Sequence, residues 1–129
     1  MQTFKKEERL RDKKSINELF EKGSGFYIAP FKVVWIETTI ENEFPARILI
    51  TVSHRNFKKA VDRNRIKRII REAYRKNKSI LYERLNGSAK KIAFMLIYTR
   101  EIIIPYKEVE DKIILILQRL AKENEETLR

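Results

Sequence analysis

The chain has 129 residues and no cysteine. That excludes a disulfide framework, a thiol nucleophile and a thiolate metal site, and it suits a cytoplasmic protein. There is one histidine, His54. A Ser/His/Asp set would have to use it as the base, and nothing in the sequence marks its partners. The three glycines, Gly23, Gly25 and Gly87, are too scattered for a phosphate-cradling loop. With only three prolines besides, a long flexible linker is not expected. The longest apolar runs, 92–98 and 113–117, are far short of the roughly 20 residues that span a bilayer. The opening residues Met1 to Glu8 run straight into charge without an apolar signal core, so no secretory leader is expected. One domain of this length buries enough surface to need no staple.

Acid is also scarce where base is dense. The net charge is +11, a balance that favours RNA, DNA or an anionic surface as partner. From Arg55 to Lys78 eleven basic residues face two acids, Asp62 and Glu72. Placed on a helix with Arg63 as zero, Lys67, Arg71, Asn64, Arg75 and Arg68 fall between roughly 40° and 140°. Ile69, Ala73, Ile66 and Ile70 fall between roughly 240° and 340°. One side is cationic and the other aliphatic, as a helix seated on a core and facing a polyanion requires. Arg65 lies outside the arc, near Glu72, and is expected to pair there or reach round the edge. Solvated charged faces normally mix signs; this arc does not, and its self-repulsion is a cost that a polyanion relieves.

In chain order, residues 1–11 read as a basic arm, partly ordered, with Phe4 and Leu10 available to tack it down. Asp12 caps a helix over 13–22, with Ile16, Leu19 and Phe20 in one stripe and Gly23 as its stop. Gly23-Ser24-Gly25 reads as a turn. A strand follows over 31–39, with Phe31, Val33 and Trp35 on one side and Lys32, Val34 and Ile36 on the other. Residues 40–45 read as a hairpin loop into a second strand over 46–53, placed centrally by its apolar run. The basic helix is expected over about 59–76, a short helical piece over 79–85 ending at Asn86-Gly87, a strong strand over 91–99 and a last helix over 106–121. A short further strand near 100–104 and a polar tail over 122–129 complete the reading, with residues 12–121 as a single RNA-binding domain. This is an α+β order, helices laid on one sheet in a two-layer α/β sandwich. Phe20, Phe31 and Trp35 are by type core residues; stacking on unpaired bases is their competing role.

The run Arg63-Asn64-Arg65-Ile66-Lys67-Arg68-Ile69-Ile70-Arg71-Glu72 resembles the signature of the protein subunit of bacterial ribonuclease P. Arg9-Leu10, the helix ending Leu19-Phe20, then Gly23, and Val52-Ser53 leading through basic residues to Ala60-Val61 resemble the surroundings of that signature. The resemblance runs from about residue 9 to 120. It implies an α-β-β-β-α-β-α sandwich related to a ribosomal-protein domain, with a left-handed βαβ crossover where right-handed is the rule. It implies a subunit of an endoribonuclease holoenzyme that removes 5′ leaders from precursor tRNA. The chemistry would be carried by the RNA subunit, with magnesium held mainly by that RNA and no cofactor intrinsic to the protein. The expected partners are ribonuclease P RNA and precursor tRNA, with no membrane and no obligate protein partner. Contacts to the RNA subunit are expected from Arg55, Lys58, Lys59, Arg63, Asn64, Arg65, Lys67, Arg68, Arg71 and Arg75. Contacts to the leader are expected from Ile16, Phe20, Phe31, Lys32 and Val34. No catalytic residue is expected in this chain. Where the family has a second helix aromatic this sequence has Ile16, and the 54–59 connection lacks the usual glycine.

Three other readings stay open at this point. A ribosomal or rRNA-associated protein on a related fold would bind RNA without aiding cleavage. A helical DNA-binding module would need a second helix packed before the basic one, where a strand is expected instead. An autonomous nuclease would need an acid–base set that the sequence does not offer.

Overall fold

The structure, a computed structural model, describes residues 4–39 and 44–125. A 3-10 turn over Lys6–Glu8 leads to α1 (Lys13–Lys22), β1 (Ser24–Ile28), β2 (Phe31–Glu37) and β3 (Ala46–Val52). After these come α2 (Ala60–Asn77), α3 (Ser79–Ser88), β4 (Ile92–Tyr98) and α4 (Tyr106–Glu123). The strands form one sheet in the order β1-β2-β4-β3. β1 with β2 and β2 with β4 are antiparallel. β3 and β4 are parallel, joined by the α2–α3 crossover.

Helix α1 begins where capping chemistry places it, with the Asp12 carboxylate accepting from the Ser15 backbone N–H at 3.0 Å. Gly23 ends it through an N–H bond to the Leu19 carbonyl, at φ −69°. Its missing side chain matters for space, since a Cβ there would lie 2.4 Å from the Leu19 oxygen and 2.7 Å from Val34 Cγ1. The chain therefore continues directly into a strand, not the turn that Gly23-Ser24-Gly25 indicates locally. β1 pairs with β2 from Ser24 opposite Trp35 to Ile28 opposite Phe31.

The middle of the chain departs further from the sequence reading. β2 and β3 are not a hairpin: β4 lies between them, and of the expected hairpin loop over 40–45, residues 40–43 fall outside the described residues. The apolar run that pointed to a central β3 belongs to an edge strand covered from outside by the arm. Arg9 bridges Ile48, and the Leu10 N–H donates to the Ile48 carbonyl at 2.8 Å. The central strand is β4, buried at every position but Ile97. No strand forms over 100–104; the Tyr98 hydroxyl donates to the Ile102 carbonyl at 2.8 Å and folds this segment back on its own strand. α3 runs through Asn86-Gly87 and ends at Ala89, whose positive φ of 57° makes the left-handed stop.

The sheet has two unequal faces. On one, α2, α3 and α4 close a continuous core with Phe31, Val33, Ile48, Phe94, Leu96 and Tyr98. Phe31 meets Tyr98 edge-on at 5.5 Å, and Tyr74 of α2 meets Phe94 at 5.9 Å. On the other face α1 alone covers a small cluster of Leu10, Leu19, Ala93 and Met95. Ile16, Val34, Leu49 and Ile97 there remain half-buried.

The arm is docked by a buried ion pair. Glu8 is 0% exposed and accepts from Lys78 Nζ at 2.5 Å and from the Tyr82 hydroxyl at 2.6 Å. Its other oxygen takes the Lys5 backbone N–H at 2.6 Å. Phe4 packs edge-on against Tyr74 at 5.7 Å.

Candidate nucleic-acid interface

No glycine or proline interrupts α2, and Ile66, Ile70, Ala73 and Tyr74 bury one stripe of it against the core. Asp62 lies in its first turn and Arg75 and Lys76 in its last, each on the favourable end of the helix dipole. The opposite surface carries Asn64, Arg65 and Arg68, exposed, with Lys67 and Arg71 half-buried beside them. Arg55, Lys58 and Lys59 extend this surface onto the preceding connection, also exposed. Among the described residues, none of Arg65, Lys67, Arg68 and Arg71 is ion-paired. Burial, then the nearby cations Arg9 and Arg68, hold the Arg71 guanidinium below its usual proton affinity.

Two of the expected contact residues are committed elsewhere. Arg63 Nη1 donates to the Phe57 carbonyl at 2.7 Å and to the Lys58 carbonyl at 3.0 Å, holding the glycine-free connection against the helix. Arg75 forms a two-pronged pair with Glu72 at 2.6 and 3.1 Å, with Lys76 at 3.9 Å from the same carboxylate. The hydrogen bond from Arg75 holds the Glu72 carboxyl below its ordinary range. Arg65 does not pair with Glu72. The two share an angle on the wheel, but seven residues separate them by about 10 Å along the axis.

The residues expected at the leader divide between the two sheet faces. Ile16 and Val34 meet at the small cluster beneath α1. Lys32 is exposed on the same face of β2, and Phe20 stands 66% exposed on α1. Phe31 does not join them. Strand alternation turns it into the closed core, where it is 0% exposed and cannot meet a base. Trp35 also lies on that side, half-buried.

His54 is exposed in the turn before α2. Among the described residues no group of three or more histidines and carboxylates fits a metal ion, and no helix is long and apolar enough to cross a membrane. The arrangement offers surfaces for binding a polyanion.

The sequence model of the family described as Ribonuclease P matches residues 4–121. This chain belongs to the ribonuclease P protein family. The ribonuclease P protein component of Porphyromonas gingivalis is 37% identical over 94 residues, 71% of this chain and 69% of its own. That of Borrelia hermsii is 33% identical over 116 residues, 89% of this chain and 93% of its own. The solved RNase P protein of Thermotoga maritima shares the fold at a TM-score of 0.70 and 24% identity, covering 87% of this chain and 96% of that one. The Staphylococcus aureus RNase P protein does so at 0.68 and 21%, covering 87% and 94%. As a ribonuclease P protein, the chain is a subunit of an endoribonuclease holoenzyme and a partner of its RNA.

One group of basic residues escaped the sequence reading. Arg9 and Arg11 of the arm share a pocket with Lys67 and Arg71 of α2. The only local signal was the cationic arm itself; its meeting with α2 is a contact across nearly 60 residues of chain.

Proposed function

We propose that the open cations of α2 and of the connection before it hold ribonuclease P RNA, while the half-covered sheet face beside α1 receives the unpaired 5′ leader of precursor tRNA. The work is cytoplasmic, one domain serves both contacts, and the RNA supplies the cleavage chemistry with its own magnesium. The observation that carries this reading is the run Arg65, Lys67, Arg68 and Arg71, without a paired carboxylate among the described residues. Such a surface screens one polyanion from another and lets the two approach. On the α1 side, exposed Phe20 offers a stacking surface worth roughly 1–3 kcal/mol per base, and Lys32 a charge for the backbone.

If about six phosphates are neutralised, log K for the RNA falls against log salt with a slope near −4 to −5. A flat dependence contradicts the electrostatic mechanism. The direct test adds the protein to ribonuclease P RNA at low magnesium and follows cleavage of precursors with and without a leader. The expected result is stimulation that requires the RNA and grows with the leader. Cleavage by the protein alone overturns the assignment of the chemistry.

A further inference from the structure

We propose that the pocket between the arm, α2 and the outer edge of β3 takes one unpaired ribonucleotide of a bound RNA, its phosphate between Arg9 and Arg71 and its base against Phe4 and Ile50. The proposal rests on the RNA-binding reading above and extends it to the arm, which none of the expected contacts included. The pocket measures about 230 Å³. That is below the roughly 300–1,000 Å³ of sites for drug-sized ligands, a size for one small group. Its lining is split by chemistry: Arg9, Lys67 and Arg71 supply charge, and the half-buried Phe4, Leu49 and Ile50 supply apolar surface. A bare phosphate would satisfy the first set and leave the second in water. A nucleotide uses both.

Arg9 is held in place before any ligand arrives. Arg9 sits between two fixed points, Glu8 in its buried pair with Lys78 and Leu10 hydrogen-bonded to the Ile48 carbonyl. Its guanidinium lies over the Phe4 ring at 5.1 Å. Among the described residues neither Arg9, Lys67 nor Arg71 has an ion-pair partner. The Arg71 proton is disfavoured first by burial, then by Arg9 and Arg68. An incoming phosphate relieves that repulsion, and the docked arm avoids most of the ordering cost of a free one. Glu8 is thus a positioning residue for Arg9.

The test uses the full chain. Titration with adenosine 5′-monophosphate, inorganic phosphate and adenosine is followed by NMR at the Ile50 methyls, the Phe4 ring and the Arg9 guanidinium. The monophosphate is expected to bind about tenfold more tightly than phosphate, equivalent to about 1.4 kcal/mol, and to shift all three signals. Equal affinity for phosphate with unmoved methyls overturns the proposal and leaves an anion site only. In parallel, Arg9→Gln is expected to weaken RNA binding about tenfold and to flatten the salt slope by about one unit. Loss seen with ribonuclease P RNA alone assigns the nucleotide to that RNA; loss seen only with a leader-bearing precursor assigns it to the leader. Arg68→Ala separates this proposal from the reading beneath it. If that variant weakens RNA binding and Arg9→Gln does not, the pocket fails and the α2 interface stands. If neither matters, both fail.

Discussion

The two faces of the sheet are built from similar residues and finished differently. Three helices seal one side around rings and branched chains. A single ten-residue helix covers the other, leaving Val34, Leu49 and Ile97 half-open beside an exposed phenylalanine. The closed face holds the protein together, and the open face is available to a ligand. The same residue type does opposite work on the two sides: Phe31 is core, and Phe20 is surface.

Substitutions sharpen that contrast. Phe31→Ala removes a ring from the closed core and should destabilise the protein by about 3–5 kcal/mol, read as a lowered midpoint in denaturant. A loss below about 1 kcal/mol would show that the closed face is not the stabilising one. Glu8→Ala removes the buried carboxylate that accepts from Lys78 and Tyr82 and should cost about 3 kcal/mol, the lower end of the range for such pairs, because the Lys78 side chain retains 10% exposure. Its second signature is hydrogen exchange, which should rise first in the arm. Asp12→Ala should cost about 1 kcal/mol through loss of the α1 cap. Hydrogen bonding to Ser15, then the Arg47 contact, holds the Asp12 carboxyl below its ordinary value in the folded state. That contribution is present in full above about pH 4 and lost as pH falls through the depressed folded value, so the gap between wild type and variant should close in acid. A gap that widens in acid would contradict the sign. Phe20→Ala should change stability by less than about 0.5 kcal/mol while weakening leader-bearing precursor by about 1–3 kcal/mol, with leaderless tRNA unaffected. Equal losses for both substrates would remove Phe20 from the leader contact.

Much of the fold was legible because its signals are local. The α1 boundaries follow from Asp12 and Gly23, α2 is shifted by about one residue, and α4 starts where expected and runs two residues further. The errors cluster where local signals compete with long-range pairing. Ser24 and Gly25 look like a turn, yet β2 supplies a ladder that makes them a strand. The apolar run of β3 indicates cover on both sides, and part of that cover is the arm, not a second neighbouring strand. Asn86-Gly87 is a stop signal that α3 passes before Ala89 ends it. At the interface, the wheel sorted the basic face from the apolar one. It did not register axial rise or hydrogen bonding to loops, so it left Arg75 and Arg63 among the free cations.

That one helix is cationic on one side and aliphatic on the other was written into the order of its residues. That property depends only on helical periodicity and residue type, both written in consecutive positions. The same order of residues carried the family signature. Tertiary structure decided which of those cations stay open, which phenylalanine faces solvent, and that the arm brings Arg9 beside Arg71. Those outcomes depend on partners such as Glu8 and Lys78, 70 residues apart, whose meeting is fixed by strand order and helix packing, not by any local pattern.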